Sequence, residues 1–239
     1  QRKGVPLVEM NFQFNFGYAQ ENNDELGYTN FMMGMLNEGT KKYSSLEFDE
    51  VLDSLGSNLG FGSGLDTSVA SLSSLKANLS QTLDLAKEAL INPTFPEKEI
   101  ERIKKETLAG IIQEENRPAS IAYRNIGKLL YGDNHPYGKP LTGSGISETI
   151  SSITRANIMD VHSRAINSAH LTFAVAGDIE MDELVDLLES KFGDWSANSD
   201  SGLKALTTVE LPNTRTIYLI DKPNAQQSYI VAGQLLPPS

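Results

Sequence analysis

The residues of this chain that could do chemistry are few, and their spacing narrows what that chemistry can be. There is no cysteine, which excludes disulfides, thiol nucleophiles and thiolate zinc sites. The three histidines, His135, His162 and His170, fall in a loop, near a helix end and at a strand start, without the helical spacing of a ligand pair. Glu97, Glu99, Glu101 and Glu106 are interspersed with Arg102, Lys104 and Lys105, the pattern of a solvated helix face with ion pairs rather than of a carboxylate metal cluster. Gly60, Gly62 and Gly64 precede a strand instead of opening a helix, so they are not a nucleotide fingerprint, and no G-x-S-x-G elbow singles out a serine.

The stretch 27–40, GYTNFMMGMLNEGT, is the informative one. Asn30, Met33 and Gly34 stand at i, i+3 and i+4, on one face of a helix predicted over 24–38. An H-x-x-E-H zinc motif uses the same offsets. Residue types alone describe a core helix, because Met32, Met33 and Met35 are flexible apolar fillers, half of the chain's six methionines.

The elements that must position this stretch are legible from periodicity. Val8, Met10, Phe12, Phe14 and Phe16 alternate with polar residues, which predicts a strand with one buried face. Ser44 and Glu47 have capping-box spacing and open a second helix that ends at Gly56. The segment 57–75 predicts a hairpin, and helices are expected over 78–92, 97–115 and 118–131, with PTFP breaking the first two. YGDNHPYGKPLTGSG is an irregular loop, followed by two short helices, the strand LTFAVAGD and the amphipathic helix MDELVDLLESKFGDW. The segment 197–213 reads as a linker, and TRTIYLID and SYIVAGQL as two strands of a new unit. Domains are therefore expected at 1–196 and, as the start of another, at 214–239. The sequence is read as a segment of a longer protein.

Bulk charge removes further classes. With 31 acidic against 20 basic residues the net charge is -11, which speaks against a duplex nucleic-acid surface. No apolar run approaches the roughly eighteen residues of a membrane-spanning helix.

The stretch 27–40 resembles G-x-x-H-F-x-E-H-M-L-F-x-G-T of the insulinase, pitrilysin and mitochondrial-processing-peptidase family, with Gly27, Phe31, Met35, Leu36, Gly39 and Thr40 matching. YGDNHPYGKPLTGS is similar to that family's Y-G-x-x-H-P-Y-G-x-P-x-x-G loop, SITRANIMDVHSRAINSAHLTFAVAGDI to its helix and V-G-D strand, and DKPNAQQSYIVAGQ to the opening of its second domain. The resemblance implies an α/β (α+β) fold of the LuxS/processing-peptidase-like class, a mostly antiparallel sheet packed by helices, with the start of a second similar domain.

The same resemblance implies that the zinc site is lost. Asn30 and Gly34 stand where the family has its two histidines, and Met33 where it has the general-base glutamate. Its third ligand registers at Ala109 or Gly110, within ERIKKETLAGIIQEENRP. What the family then implies is a non-catalytic half or subunit, with no catalytic residue and no cofactor of its own. A zinc-bearing homologous half would be its partner and a peptide its substrate, paired along the strand of Gly60, Phe61, Gly62 and Ser63. Alternatives are an active zinc peptidase with its motif elsewhere in the parent chain, and a structural protein akin to the core subunits of the cytochrome bc complex. Bacterial relatives are often exported, so a periplasmic site is expected by analogy.

Overall fold

Alternation in the first strand decides which way the sheet faces. In β1 (Leu7–Phe14) the side chains of Val8, Met10, Phe12 and Phe14 are buried while Glu9, Asn11 and Gln13 are exposed. The computed structural model describes residues 4–196, 203–205, 209 and 215–235.

β1 is followed by α1 (Tyr28–Gly34), α2 (Ser45–Ser54), β2 (Asn58–Ser63), β3 (Ser68–Leu75), α3 (Leu79–Ile91), α4 (Glu97–Asn116) and α5 (Pro118–Tyr131). Then come α6 (Ser147–Ser152), α7 (Arg155–Ala165), β4 (Leu171–Gly177) and α8 (Met181–Phe192). The strands form one antiparallel sheet in the order β2-β3-β1-β4, so β2 is an edge. The chain leaves β1 for about 150 residues of helices and hairpin before β4 returns beside it, with Phe12 opposite Phe173.

The core lies between one sheet face and the helices. Phe12 meets Phe173 and Phe192 edge-on, at centroid distances of 5.0 and 5.6 Å, and Phe14 and Phe192 each pack on Trp195. Complete burial of each such ring contributes on the order of 2–3 kcal/mol. The opposite face is exposed and, beside Glu9, carries small or neutral side chains, among them Asn11, Gln13, Gly60, Gly62 and Ser71. The Ser44–Glu47 capping box forms as its spacing predicts, Glu47 N–H donating to Ser44 Oγ and Ser44 N–H to the Glu47 carboxylate.

Three expected elements differ. The helix expected over 24–38 is the seven-residue α1. Gly27, at φ +93°, breaks the helical path at its start, and Met35, Leu36 and Glu38 close its end with bonds to carbonyls three residues back. The two strands expected in the tail are absent among the described residues, since 215–235 carry neither helix nor strand. Ile217, Leu219 and Ile230 there are at least 90% exposed. A strand forms only where a neighbour satisfies its amides, and no described strand lies beside them. The linker expected over 197–213 lies outside the described residues except at 203–205 and 209.

Candidate functional site

Helix α1 is short, and its start is held by a side chain from outside it. The buried Glu21 carboxylate accepts the backbone N–H of Gly27 at 2.9 Å and of Thr29 at 2.7 Å, satisfying amides at the helix start. Burial raises its pKa to about 7, although these bonds and the charge of Lys139 act against the rise. Lys139, also buried, donates its ammonium to the carbonyls of Tyr18, Ala19 and Glu21, and burial lowers its pKa to about 8.

Along α1 the three singled-out positions meet different surroundings. Met33 is fully buried in the core, and Gly34 is exposed, with open space where a Cβ would stand. Asn30 is half-buried, with one bond at each end of its amide. Its Oδ1 accepts the backbone N–H of Ser63 at 3.1 Å, and its Nδ2 donates to the Gly143 carbonyl at 2.9 Å. Gly110 lies half-buried in α4 with open space around its Cβ position, and Ala109 beside it is exposed.

The irregular loop 132–146 joins these parts. Tyr137 donates its hydroxyl to Asp66 in the β2–β3 turn at 2.7 Å, and Tyr18 donates to the Leu141 carbonyl at 3.1 Å. Arg124 of α5 is paired with Glu114 of α4 and donates to Ser144 Oγ and the Gly145 carbonyl. Gly145 in turn packs so close to Gly27 that a Cβ on Gly27 would stand 2.8 Å from the Gly145 Cα. Lys139 and the Tyr137–Asp66 pair were not legible in the sequence because their partners lie far along the chain, and Glu21 and Arg124 because their bonds follow no regular helical or strand spacing. The glycine and proline density of the loop was the local signal.

The histidines fall in separate parts of the chain, and two are structurally occupied, whereas the buried Nε2 of His170 has no hydrogen-bond partner among the described residues. His135 stacks on Tyr131 and accepts the Tyr137 N–H, and His162 donates from Nε2 to the Leu90 carbonyl at 2.8 Å. Among the described residues no three His, Cys, Asp or Glu side chains converge. A catalytic zinc needs three protein ligands and a base within reach of its water. The four positions do not fit one: a bonded amide, a buried thioether and two glycines supply no such set.

A single antiparallel sheet packed by helices, with a short loop-strapped helix beside its edge strand, defines an α/β layer domain. The family described as insulinase, peptidase family M16, matches residues 3–144, and the one described as peptidase M16 inactive domain matches residues 152–239. The chain belongs to the insulinase (M16) family. A protein of Rickettsia felis named an uncharacterized zinc protease is 26% identical over 79% of this chain and 45% of its own. The human mitochondrial-processing peptidase subunit beta is 25% identical over 85% of this chain and 41% of its own. This chain thus spans less than half of these curated relatives. Among solved structures, the peptidase M16 inactive domain from Pseudomonas fluorescens superposes with a TM-score of 0.74 at 28% identity, covering 87% of this chain and 49% of that one. The periplasmic protease PqqL of Escherichia coli has a TM-score of 0.77 at 20% identity over 87% of this chain and 23% of its own, a likeness of fold.

Proposed function

We propose that this chain is the non-catalytic, peptidase-like part of an insulinase-family zinc protease, packing against a zinc-bearing half or subunit to enclose a peptide. Asn30, Met33, Gly34 and Gly110 are its altered ligand and base positions. The observation that carries the reading is Asn30: at the first ligand position stands an amide whose oxygen and nitrogen are both spent on the protein's own backbone. Zinc belongs to the partner, which supplies the electrophile and the base, while this part contributes orientation and exclusion of water.

The peptide would lie along the edge-strand segment Gly60, Phe61, Gly62 and Ser63, bonding only where the backbone points away from β3. Backbone pairing at an edge is tolerant of sequence, and β2 is an edge strand whose Gly60 and Gly62 are exposed. Residues 1–196 are then one domain, and 214–239 open a second. A periplasmic location is supported by the likeness of fold to PqqL, a periplasmic protease, and no described helix is long and apolar enough to cross a membrane.

The test is hydrolysis of an unstructured peptide by the full-length protein alone and with a zinc-motif homologue, with metal content measured in parallel. Cleavage confined to, or enhanced in, the mixture is expected. Stoichiometric zinc with activity from this chain alone would mean that the four assignments are wrong. A second reading, an active peptidase whose zinc motif lies elsewhere in the parent chain, has one observation in its favour: this chain spans under half of relatives named zinc proteases. In that case the intact parent alone cleaves and binds zinc. The structural, core-subunit-like reading predicts no cleavage in any mixture.

A further inference from the structure

We propose that Asn30 is a latch that closes the last rung of the open β2 edge, leaving Leu59 and Phe61 as the residues through which an added strand can pair. The inference rests on the reading that a peptide joins this edge, and it adds where the edge stops.

Strand parity decides which amides are open. Along a strand the N–H and C=O of one residue point to the same side, and the next residue's point to the other. Ser63 is opposite Ser68 of β3 in the register, yet its N–H donates to Asn30 Oδ1. Its polar groups therefore face away from β3. By the same alternation Leu59 and Phe61 face outward, whereas Asn58, Gly60 and Gly62 face β3. Three outward N–H groups thus make up the edge. Among the described residues that of Ser63 is bonded to Asn30, and those of Leu59 and Phe61 have no such partner from outside the sheet.

The latch is held from behind. Asn30 Nδ2 donates to Gly143, which fixes the amide plane so that Oδ1 must face Ser63. Gly143 sits so tightly against Asn30 Nδ2 that a side chain there would displace it, and its φ of +69° suits glycine. Tyr137 ties the same loop to the β2–β3 turn through Asp66. The bond to Ser63 therefore belongs to an assembly of helix, loop and hairpin, and is not a chance surface contact.

The consequence is a choice of register. A strand running along β2 can exchange bonds with Phe61 and Leu59, and at Ser63 it meets a donor already spent and an amide side chain in its path. The latch thus limits the length of peptide held and sets where it ends relative to α1.

The test combines amide hydrogen exchange, resolved at Ser63, with peptide affinity in the full-length protein. Asn30→Ala should leave the β3-facing amides of Gly60 and Gly62 protected while Ser63 exchange rises at least tenfold. Asn30→Asp, which still accepts from Ser63 but cannot donate to Gly143, should keep Ser63 protected and loosen loop 132–146. This second variant separates loss of the latch from loss of the fold. A short fluorescein-labelled peptide of mixed Ser, Thr and Val should bind Asn30→Ala roughly three- to tenfold tighter than the parent, the gain of about one backbone bond. Equal Ser63 exchange in parent and Asn30→Ala overturns the latch. Lost protection at Ser63 with peptide binding unchanged overturns its role in limiting the edge. Lost protection with no peptide binding by either protein refutes the edge-pairing reading itself and leaves the latch established.

Discussion

Glu21 carries a carboxylate that the fold has buried at the start of α1, and its protonation sets part of the protein's pH dependence. Its folded pKa, about 7, lies above the ordinary value of 4.5. The stability it confers is therefore complete below pH 4.5 and lost as pH rises through 7. Lys139, whose charge and that of Glu21 act on each other, runs the other way. Its folded value of about 8 lies below 10.5, so its contribution is present above pH 10.5 and lost as pH falls through 8. His162, lowered by burial, loses its contribution as pH falls below 6.5 and opposes Glu21 in the acid range. Comparing the parent with Glu21→Gln cancels the histidine. Urea unfolding at pH 5 and pH 7.5 should give the parent a loss on the order of 2 kcal/mol between the two values, relative to the variant. At pH 5 the variant should itself be weaker by roughly 1–3 kcal/mol, because a glutamine cannot accept both the Gly27 and the Thr29 amides. A difference between the two proteins that stays constant with pH would remove Glu21 from the account.

At the scale of elements, glycines separate what the fold requires from what it tolerates. Gly27 stands at φ +93° against Gly145, whereas Gly110 lies inside α4 with open space where its Cβ would go. Gly27→Ala should therefore destabilise by about 2–4 kcal/mol, from strain and the close approach together. Gly110→Ala should stabilise by roughly 0.5–1 kcal/mol, the usual gain in a helix interior. Thermal unfolding of the two variants checks both signs, and a destabilising Gly110→Ala would mean that the absence of a side chain there is structural. These glycines also mark how far the sequence could be read. The hairpin of β2 and β3 was legible because its glycines and alternating residues act locally, and so was the Ser44–Glu47 cap. The true length of α1 was not, because the close approach that requires a glycine at its start comes from Gly145, far along the chain. The role of Asn30 was equally hidden, since Ser63 and Gly143 are 33 and 113 residues away. Sequence places an amide at position 30; only the fold shows that it bonds Ser63 and Gly143.

For the whole molecule, the sheet joins segments that the family matches divide. One match ends at residue 144 and the other begins at residue 152, so α7, β4 and α8 fall in the second. In space they complete the first unit. β4 pairs with β1 from Val8 to Phe14, Phe173 and Phe192 close over Phe12, and α7 packs on α1. A chain ending at residue 151 would leave β1 as a bare, strongly hydrophobic edge and strip Phe12 of both aromatic partners. Removing such packing costs several kcal/mol, comparable with the whole stability of many domains. That fragment should give no cooperative urea transition and should bind a hydrophobic dye. A chain ending at residue 196 retains Trp195 against Phe14 and Phe192, and should unfold in one transition. Cooperative unfolding of the shorter fragment would move the domain boundary to the junction between the two matches, and β4 would then belong energetically to the segment that follows it.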